Sequence, residues 1–188
     1  MPMAELPEDL SRLSLGEIAQ MAVDRKLPPV ENWHPERSGD SAMRIARDGC
    51  WYHEGDPITR PNMVRLFSTI LRREADGSYV LVTPAEKLSI QVDDAPFVAV
   101  EVKSEGEGQG RRLAFRLNTG DLVVAGPAHP LRFGQRDGEP APYLAVRGGM
   151  EALIARAAFY ELAEMAIAEA ADPLGLWSDG AFFEMDTA

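Results

Sequence analysis

Apolar positions recur along this chain at two periods, and the switches between them predict its elements. Ser14-Leu15-Gly16-Glu17 forms a capping box, in which the serine hydroxyl and the glutamate carboxylate meet otherwise orphan backbone donors. Leu13 and Ile18 form the matching hydrophobic staple. Leu15, Ile18, Ala19 and Ala22 mark the buried stripe of this first helix, which Pro28-Pro29 ends. The polar residues 30–41 read as an ordered connector, with a lid as the functional alternative. Residues 43–47 alternate in polarity, Asp48-Gly49 is a two-residue hairpin turn, and Cys50-Trp51-Tyr52-His53 is the return strand. Gly55-Asp56-Pro57 breaks that strand. Pro61 suits a first helical position, and Met63, Val64, Phe67, Ile70 and Leu71 fall on one helical face. Asp76-Gly77 turns the chain into a strand over 79–82.

The middle of the chain switches to the two-residue period. Strands are expected over 87–92 and 97–102, followed by a flexible, acidic, glycine-rich tip at 104–110. Leu113, Phe115 and Leu117 give the return face, residues 118–121 a turn, and 122–124 a further strand. Residues 126–142, rich in proline and glycine, read as a loop.

From Tyr143 the earlier pattern returns. Residues 143–147 form a strand, Gly148-Gly149 a turn and 150–154 the return strand. Ile154-Ala155-Arg156 matches Ile58-Thr59-Arg60, and Phe159, Leu162, Ala163, Ala166 and Ile167 repeat the helical stripe. Asp179-Gly180-Ala181-Phe182-Phe183 matches Asp76-Gly77-Ser78-Tyr79-Val80. Gly49 and Gly149, Arg60 and Arg156, and Gly77 and Gly180 lie 100, 96 and 103 residues apart, with the length differences falling in loops. The fold class is therefore α+β, in two small halves, 1–95 and 96–188. Each half sets antiparallel strands on a helix, and a hairpin–helix–strand motif occurs twice.

Composition narrows the function classes. Hydrophobic residues at 45% and charged residues at 26% fit a folded globular protein. Lys and Arg number 19 against 30 Asp and Glu, a formal net charge of −11. Such a field opposes nucleic acid and anionic membrane as partners. Cys50 is the single cysteine, which excludes an intrachain disulfide and a cysteine-rich zinc site. The longest apolar-rich stretch, 153–171, is interrupted by Arg156, Glu161, Glu164 and Glu169, so it cannot span a bilayer. The N-terminus lacks the pattern of a signal peptide. A cytoplasmic location is expected.

Candidate chemistry is sparse. His34, His53 and His129 show no metal-ligand spacing, and Cys50 has no evident base beside it and reads as a buried, inert thiol. Asp93 and Asp94 point to opposite sides of an extended chain and suit a turn better than a paired acid. No phosphate loop, dinucleotide fingerprint or nucleophile elbow occurs, and neither a metal nor a cofactor is expected. Arg60 and Arg156 are the chosen recognition points. Each follows an isoleucine by two positions and opens a helix, where backbone donors already favour anions. The plainer reading pairs each arginine with a carboxylate of its own fold. Tyr52 and His53, on the first hairpin, complete the candidate ligand-binding set. Trp51 and Tyr143 suit either the core or a pocket between the halves.

Several strings resemble a known bacterial family. They are Asp48-Gly49-Cys50-Trp51-Tyr52, Pro57-Ile58-Thr59-Arg60, Val64-Arg65-Leu66-Phe67, Asp76-Gly77-Ser78-Tyr79, Thr83-Pro84-Ala85-Glu86-Lys87, Asp93-Asp94-Ala95-Pro96-Phe97 and 142–147. Over nearly the whole chain they are similar to the domain of unknown function (DUF) 1285 family. The resemblance implies a two-part α+β fold and, by analogy of context, a place in signal transduction; it supplies no catalytic residues. The expectation is a non-enzymatic module that binds a small anionic ligand or a protein partner. The alternatives are an enzyme acting on an anionic small molecule in a cleft between the halves, and a homo-oligomeric scaffold.

Overall fold

The computed structural model describes residues 14–24 and 27–185. Two six-stranded sheets dominate it. The first comprises β1 (Arg37–Ile45), β2 (Trp51–His53), β3 (Asp56–Pro57), β4 (Leu71–Arg73), β5 (Tyr79–Val82) and β6 (Glu86–Val92), in the order β3-β2-β1-β6-β5-β4. The second comprises β7 (Phe97–Glu105), β8 (Arg112–Leu117), β9 (Leu122–Val124), β10 (Leu131–Arg136), β11 (Glu139–Arg147) and β12 (Met150–Ile154), in the order β10-β11-β12-β7-β8-β9. Helices α1 (Leu15–Asp24), α2 (Pro61–Thr69) and α3 (Arg156–Glu169) and a hairpin of β13 (Gly175–Ser178) and β14 (Ala181–Glu184) complete the fold.

In each sheet the first and last strands in sequence lie side by side at the centre and run parallel, β1 with β6 and β7 with β12. Antiparallel meanders flank them. The second order is the first one read from the opposite edge, so β1–β6 corresponds in topology to β7–β12. The hairpin–helix–strand run is present twice, as β1–β2, α2, β4–β5 and as β11–β12, α3, β13–β14. The two runs nevertheless sit at different places in their sheets. Helix α2 interrupts the first sheet between its meanders, whereas α3 leaves the last strand of the second.

Several boundaries differ from the sequence reading, each for a local reason. Residues 37–41 belong to β1 and not to a connector. Residues 37–40 are exposed and Ser41 half-buried, so their place beside β6 leaves no polarity pattern. Residues 126–142 hold β10 and the start of β11, joined by an Asp137-Gly138 turn with φ of 53° and 80°. Pro140 and Pro142 obscured this strand. They are tolerated because pairing of β11 with β12 begins only at Tyr143, so the proline segment is a sheet margin. Leu71 lies outside the helix and starts β4, while residues 175–178 form β13 where a link was expected.

One apolar cluster joins the sheets. Met43, Ile45, Trp51, Leu81 and Ile90 from the first pack into the same core as Phe97, Phe115, Leu144 and Ile154 from the second. Helix α1 carries the expected capping box: Ser14 N donates to Glu17 Oε2 at 2.8 Å and Glu17 N to Ser14 Oγ at 3.2 Å. It packs Leu15 and Ile18 on Ala114 and Leu122 of the second sheet, far from it in sequence. The proposed staple residue Leu13 lies outside the described residues.

Turn tips and arginines bind the halves together. Arg65 Nε on α2 donates to Thr119 O at 3.2 Å, and Arg73 Nη1 to Gly149 O at 2.9 Å. Arg147 Nη2 donates to Ser68 O at 2.9 Å, with its guanidinium 5.0 Å from the Phe97 ring centre. Asn118 Nδ2 donates to Gly49 O at 3.1 Å. Gly49, at φ 88°, could not become alanine without bringing its Cβ to 2.7 Å from Asn118 Nδ2.

Candidate functional site

The outer face of the first sheet carries an open trough. Strand alternation turns Met43, Ile45, Trp51 and Ile90 into the core and sends Arg44, Tyr52, Ser89 and Gln91 outward. Residues 30–33 are tied to one flank of this sheet, where Arg72 Nη1 donates to Val30 O and Trp33 O, both at 2.7 Å. The trough, about 480 Å³, lies along β1, β2 and β6, within the usual size range of small-molecule sites.

A break in β1 shapes it. Pairing of β1 with β6 shifts register between Asp40 and Arg44, and Ala42 sits at φ 55°, unusual for a residue with a side chain. The kink is held by three bonds. Asp40 Oδ1 accepts from Ala42 N at 2.9 Å, Ser41 Oγ donates to Ser89 O at 2.7 Å, and the same Oγ accepts from Met43 N at 3.1 Å. Glu54 N, at the opposing turn, donates to Ala42 O at 2.9 Å. Strained backbone so heavily fixed is a recurring attribute of binding sites.

Arg44 is the polar centre of the trough. Its Nη1 donates to Asp93 Oδ2 at 2.5 Å, and its guanidinium lies 4.7 Å from the Tyr52 ring centre. Gln91 Nε2 donates to Asp93 Oδ1 at 2.9 Å. The Gln91 bond, followed by the bond and charge of Arg44, outweighs burial and holds Asp93 below the usual carboxylate range. Asp93 is therefore a fixed anion that orients the guanidinium. The Nε and Nη2 donors of Arg44 make no bond among the described residues, and that edge matches a carboxylate bidentately.

Of the four residues chosen from sequence, the structure brings Tyr52 to the trough. His53, its neighbour on β2, is exposed and points to the opposite side of the strand. Arg60 caps α2 and Arg156 opens α3; both are exposed, and neither has a carboxylate partner among the described residues, contrary to the pairing expected. Arg44, Asp93 and Gln91 were missed as a set. The signal lay in the alternation of residues 43–47, which put Arg44 opposite the core-facing Met43 and Ile45.

The other sequence candidates are also placed. His129 Nδ1 lies 3.1 Å from Ala145 O, and no group of three or more His, Cys, Asp or Glu among the described residues is arranged to hold a metal. Cys50 is exposed and not buried, because β2 begins only at Trp51. The 104–110 tip, expected to be flexible, contains a 3-10 turn and is pinned by a 2.9 Å bond from Gly108 N to Glu169. Asp93 and Asp94 diverge as expected: Asp94 pairs with Arg136 and accepts from Tyr143 Oη at 2.9 Å. Trp51 is core; Tyr143 is buried in that second network. Among the described residues, no helix is long and apolar enough to cross a membrane.

Comparison with known proteins is consistent with this architecture. The family model described as domain of unknown function (DUF1285), N-terminal domain, matches residues 28–95, and the C-terminal domain model of the same family matches 96–185. A crystal structure of a DUF1285 family protein from Silicibacter pomeroyi DSS-3 is 49% identical, covers 89% of this chain and 93% of its own, and has a TM-score of 0.79. Another, from Shewanella baltica OS155, is 24% identical, covers 66% of this chain and 92% of its own, and with a TM-score of 0.52 shares the fold. No curated protein matches the chain.

Proposed function

Because the chain belongs to the DUF1285 family, which is of unknown function, we propose from its geometry that it is a non-enzymatic binding module for a small carboxylate. One observation carries this reading: the Arg44 guanidinium, fixed between Asp93 and Tyr52 in an open trough, with its Nε–Nη2 edge unbonded among the described residues. The Tyr52 ring offers a flat surface to an apolar or aromatic body attached to that carboxylate. With a net charge of −11 around it, the ligand's charge must be met locally by Arg44. The acidic balance also argues against nucleic acid or anionic membrane as partners. A module without its own chemistry suits signal transduction.

Calorimetric titration with benzoate, succinate and their methyl esters tests the reading. Saturable binding of an acid, lost in its ester and in the Arg44→Met variant, is the expected result. Equal binding of acid and ester, or unchanged binding by Arg44→Met, refutes it. A second reading, docking of a protein, draws on Leu66 of α2 at 63% exposure and Ile167 of α3 at 67%. Pull-downs that lose a partner in Leu66→Ser or Ile167→Ser would favour it.

A further inference from the structure

A second groove, of about 660 Å³, lies where the tip between β7 and β8 meets the C-terminal end of α3 and the β13–β14 hairpin. Glu107 carries a carboxylate that is exposed and makes no side-chain bond among the described residues. Glu169 closes the groove at the helix end. Arg111 is the sole basic residue lining it, and it is consumed by Glu169, donating from Nε at 3.0 Å and from Nη2 at 2.5 Å. The side chains therefore leave one net negative charge.

The backbone adds to it. Helix α3 has no basic residue in its last turn, and the chain turns away through Ala170 at φ 50°, whose N–H donates to Ala166 O and Ile167 O. Among the described residues, the carbonyls of Ala168 and Glu169 accept no bond from the backbone beyond the helix. Both residues line the groove. A helix C-terminus carries roughly half a negative charge, and among the described residues the guanidinium at this end, Arg111, is already paired with Glu169. The remaining wall is Trp177, half-buried, with its ring centre 5.4 Å from that of Phe182 and the two planes tilted by 58°. An indole wall beside a carboxylate and an uncompensated helix end is the combination that attracts organic cations.

We propose that this groove binds a free organic cation, of the amine or quaternary ammonium class. The charge is met by Glu107 and the α3 carbonyls, and the apolar body lies against Trp177. The inference does not depend on the trough.

Tetramethylammonium chloride is the probe. The full-length, 15N-labelled protein is titrated while the Trp177 indole N–H signal, assigned by its loss in Trp177→Phe, is followed by NMR. Sodium chloride controls for ionic strength, and neopentyl alcohol is the uncharged isostere. A saturating shift with tetramethylammonium is expected, with none from sodium chloride and a weaker response to the alcohol. Glu107 is exposed at the tip, so Glu107→Gln will fold, and it should weaken binding roughly two- to fivefold. Absence of saturation, equal shifts from sodium chloride, equal binding of the alcohol, or an unchanged dissociation constant in Glu107→Gln each overturns the proposal.

Discussion

Arg111 and Glu169 allow the energetic reasoning to be tested in magnitude. Glu169 Oε1 accepts from Arg111 Nε at 3.0 Å, Arg111 Nη2 at 2.5 Å and Gly108 N at 2.9 Å, with the two side chains 10% and 17% exposed. Breaking a buried pair from one side costs about 3–5 kcal/mol, and the residual exposure here points to about 3 kcal/mol for Arg111→Met. Glu169→Gln keeps an acceptor for Arg111 and Gly108 and should cost about 1.5–2 kcal/mol. The double variant leaves no unpaired carboxylate and should cost about 3 kcal/mol, less than the two single losses combined. The expected coupling is therefore about 1.5–2 kcal/mol, read from urea unfolding at constant slope. The pH dependence supplies an independent check. Burial raises the Glu169 pKa, but the Arg111 and Gly108 bonds together pull it below the ordinary 4.5. The folded state then binds fewer protons than the unfolded one. This contribution is complete above about pH 4.5 and fades as pH falls through the lower, folded value. Arg111→Met should flatten that acid limb relative to the parent. Single losses that add to within about 0.5 kcal/mol, or an unaltered acid limb, would refute the reasoning.

The remaining predictions concern the junction and the free thiol. Arg147 is half-buried between the halves, where burial pushes its pKa down, and it bonds Ser68 O beside Phe97. Arg147→Ala should cost about 2–4 kcal/mol in urea unfolding, while Arg60→Ala and Arg156→Ala stay within about 0.5 kcal/mol. Gly49→Ala meets a positive φ and the Asn118 side chain together, and its midpoint should fall by at least as much as about 1 kcal/mol implies. Cys50 is exposed, so one equivalent of a thiol reagent should react without denaturant. Partial burial and then Asp48 raise its pKa above 9.0, so the rate should still be climbing at pH 9; a rate levelling off near neutrality would contradict this.

What the sequence made legible follows burial. Where one face is buried and the other partly wet, as in residues 43–45 and β12, the alternation was readable. Where both faces are wet, as in residues 37–41, only pairing with β6 defines the strand, and pairing is not written in local polarity. The trough was hidden for the same reason. Tyr52 drew notice as an aromatic on a hairpin, but Arg44 gains its meaning from Asp93, a residue 49 positions away that reaches it through the parallel β1–β6 pairing. Arg60 and Arg156 drew notice because helix starts favour anions. Both are exposed, and among the described residues neither has a carboxylate partner; a helix start alone specifies little until other groups converge on it.

Asp93 and Asp94 show how the two halves are divided and joined. The family models part between residues 95 and 96, in the short link from β6 to β7. Each sheet is drawn from one side of that point, so the boundary is real in topology. It is not a boundary in packing, because Met43, Trp51 and Ile90 share a core with Phe97, Phe115 and Leu144. The two acids carry the polar counterpart of that shared core. Asp93 reaches back to Arg44 in the trough, and Asp94 reaches forward to Arg136 and Tyr143, while Arg136 Nη2 also donates to Asp93 O at 3.2 Å. The link from β6 to β7 is thus tied by side chains to the outer face of the first sheet and to the β10–β11 hairpin of the second.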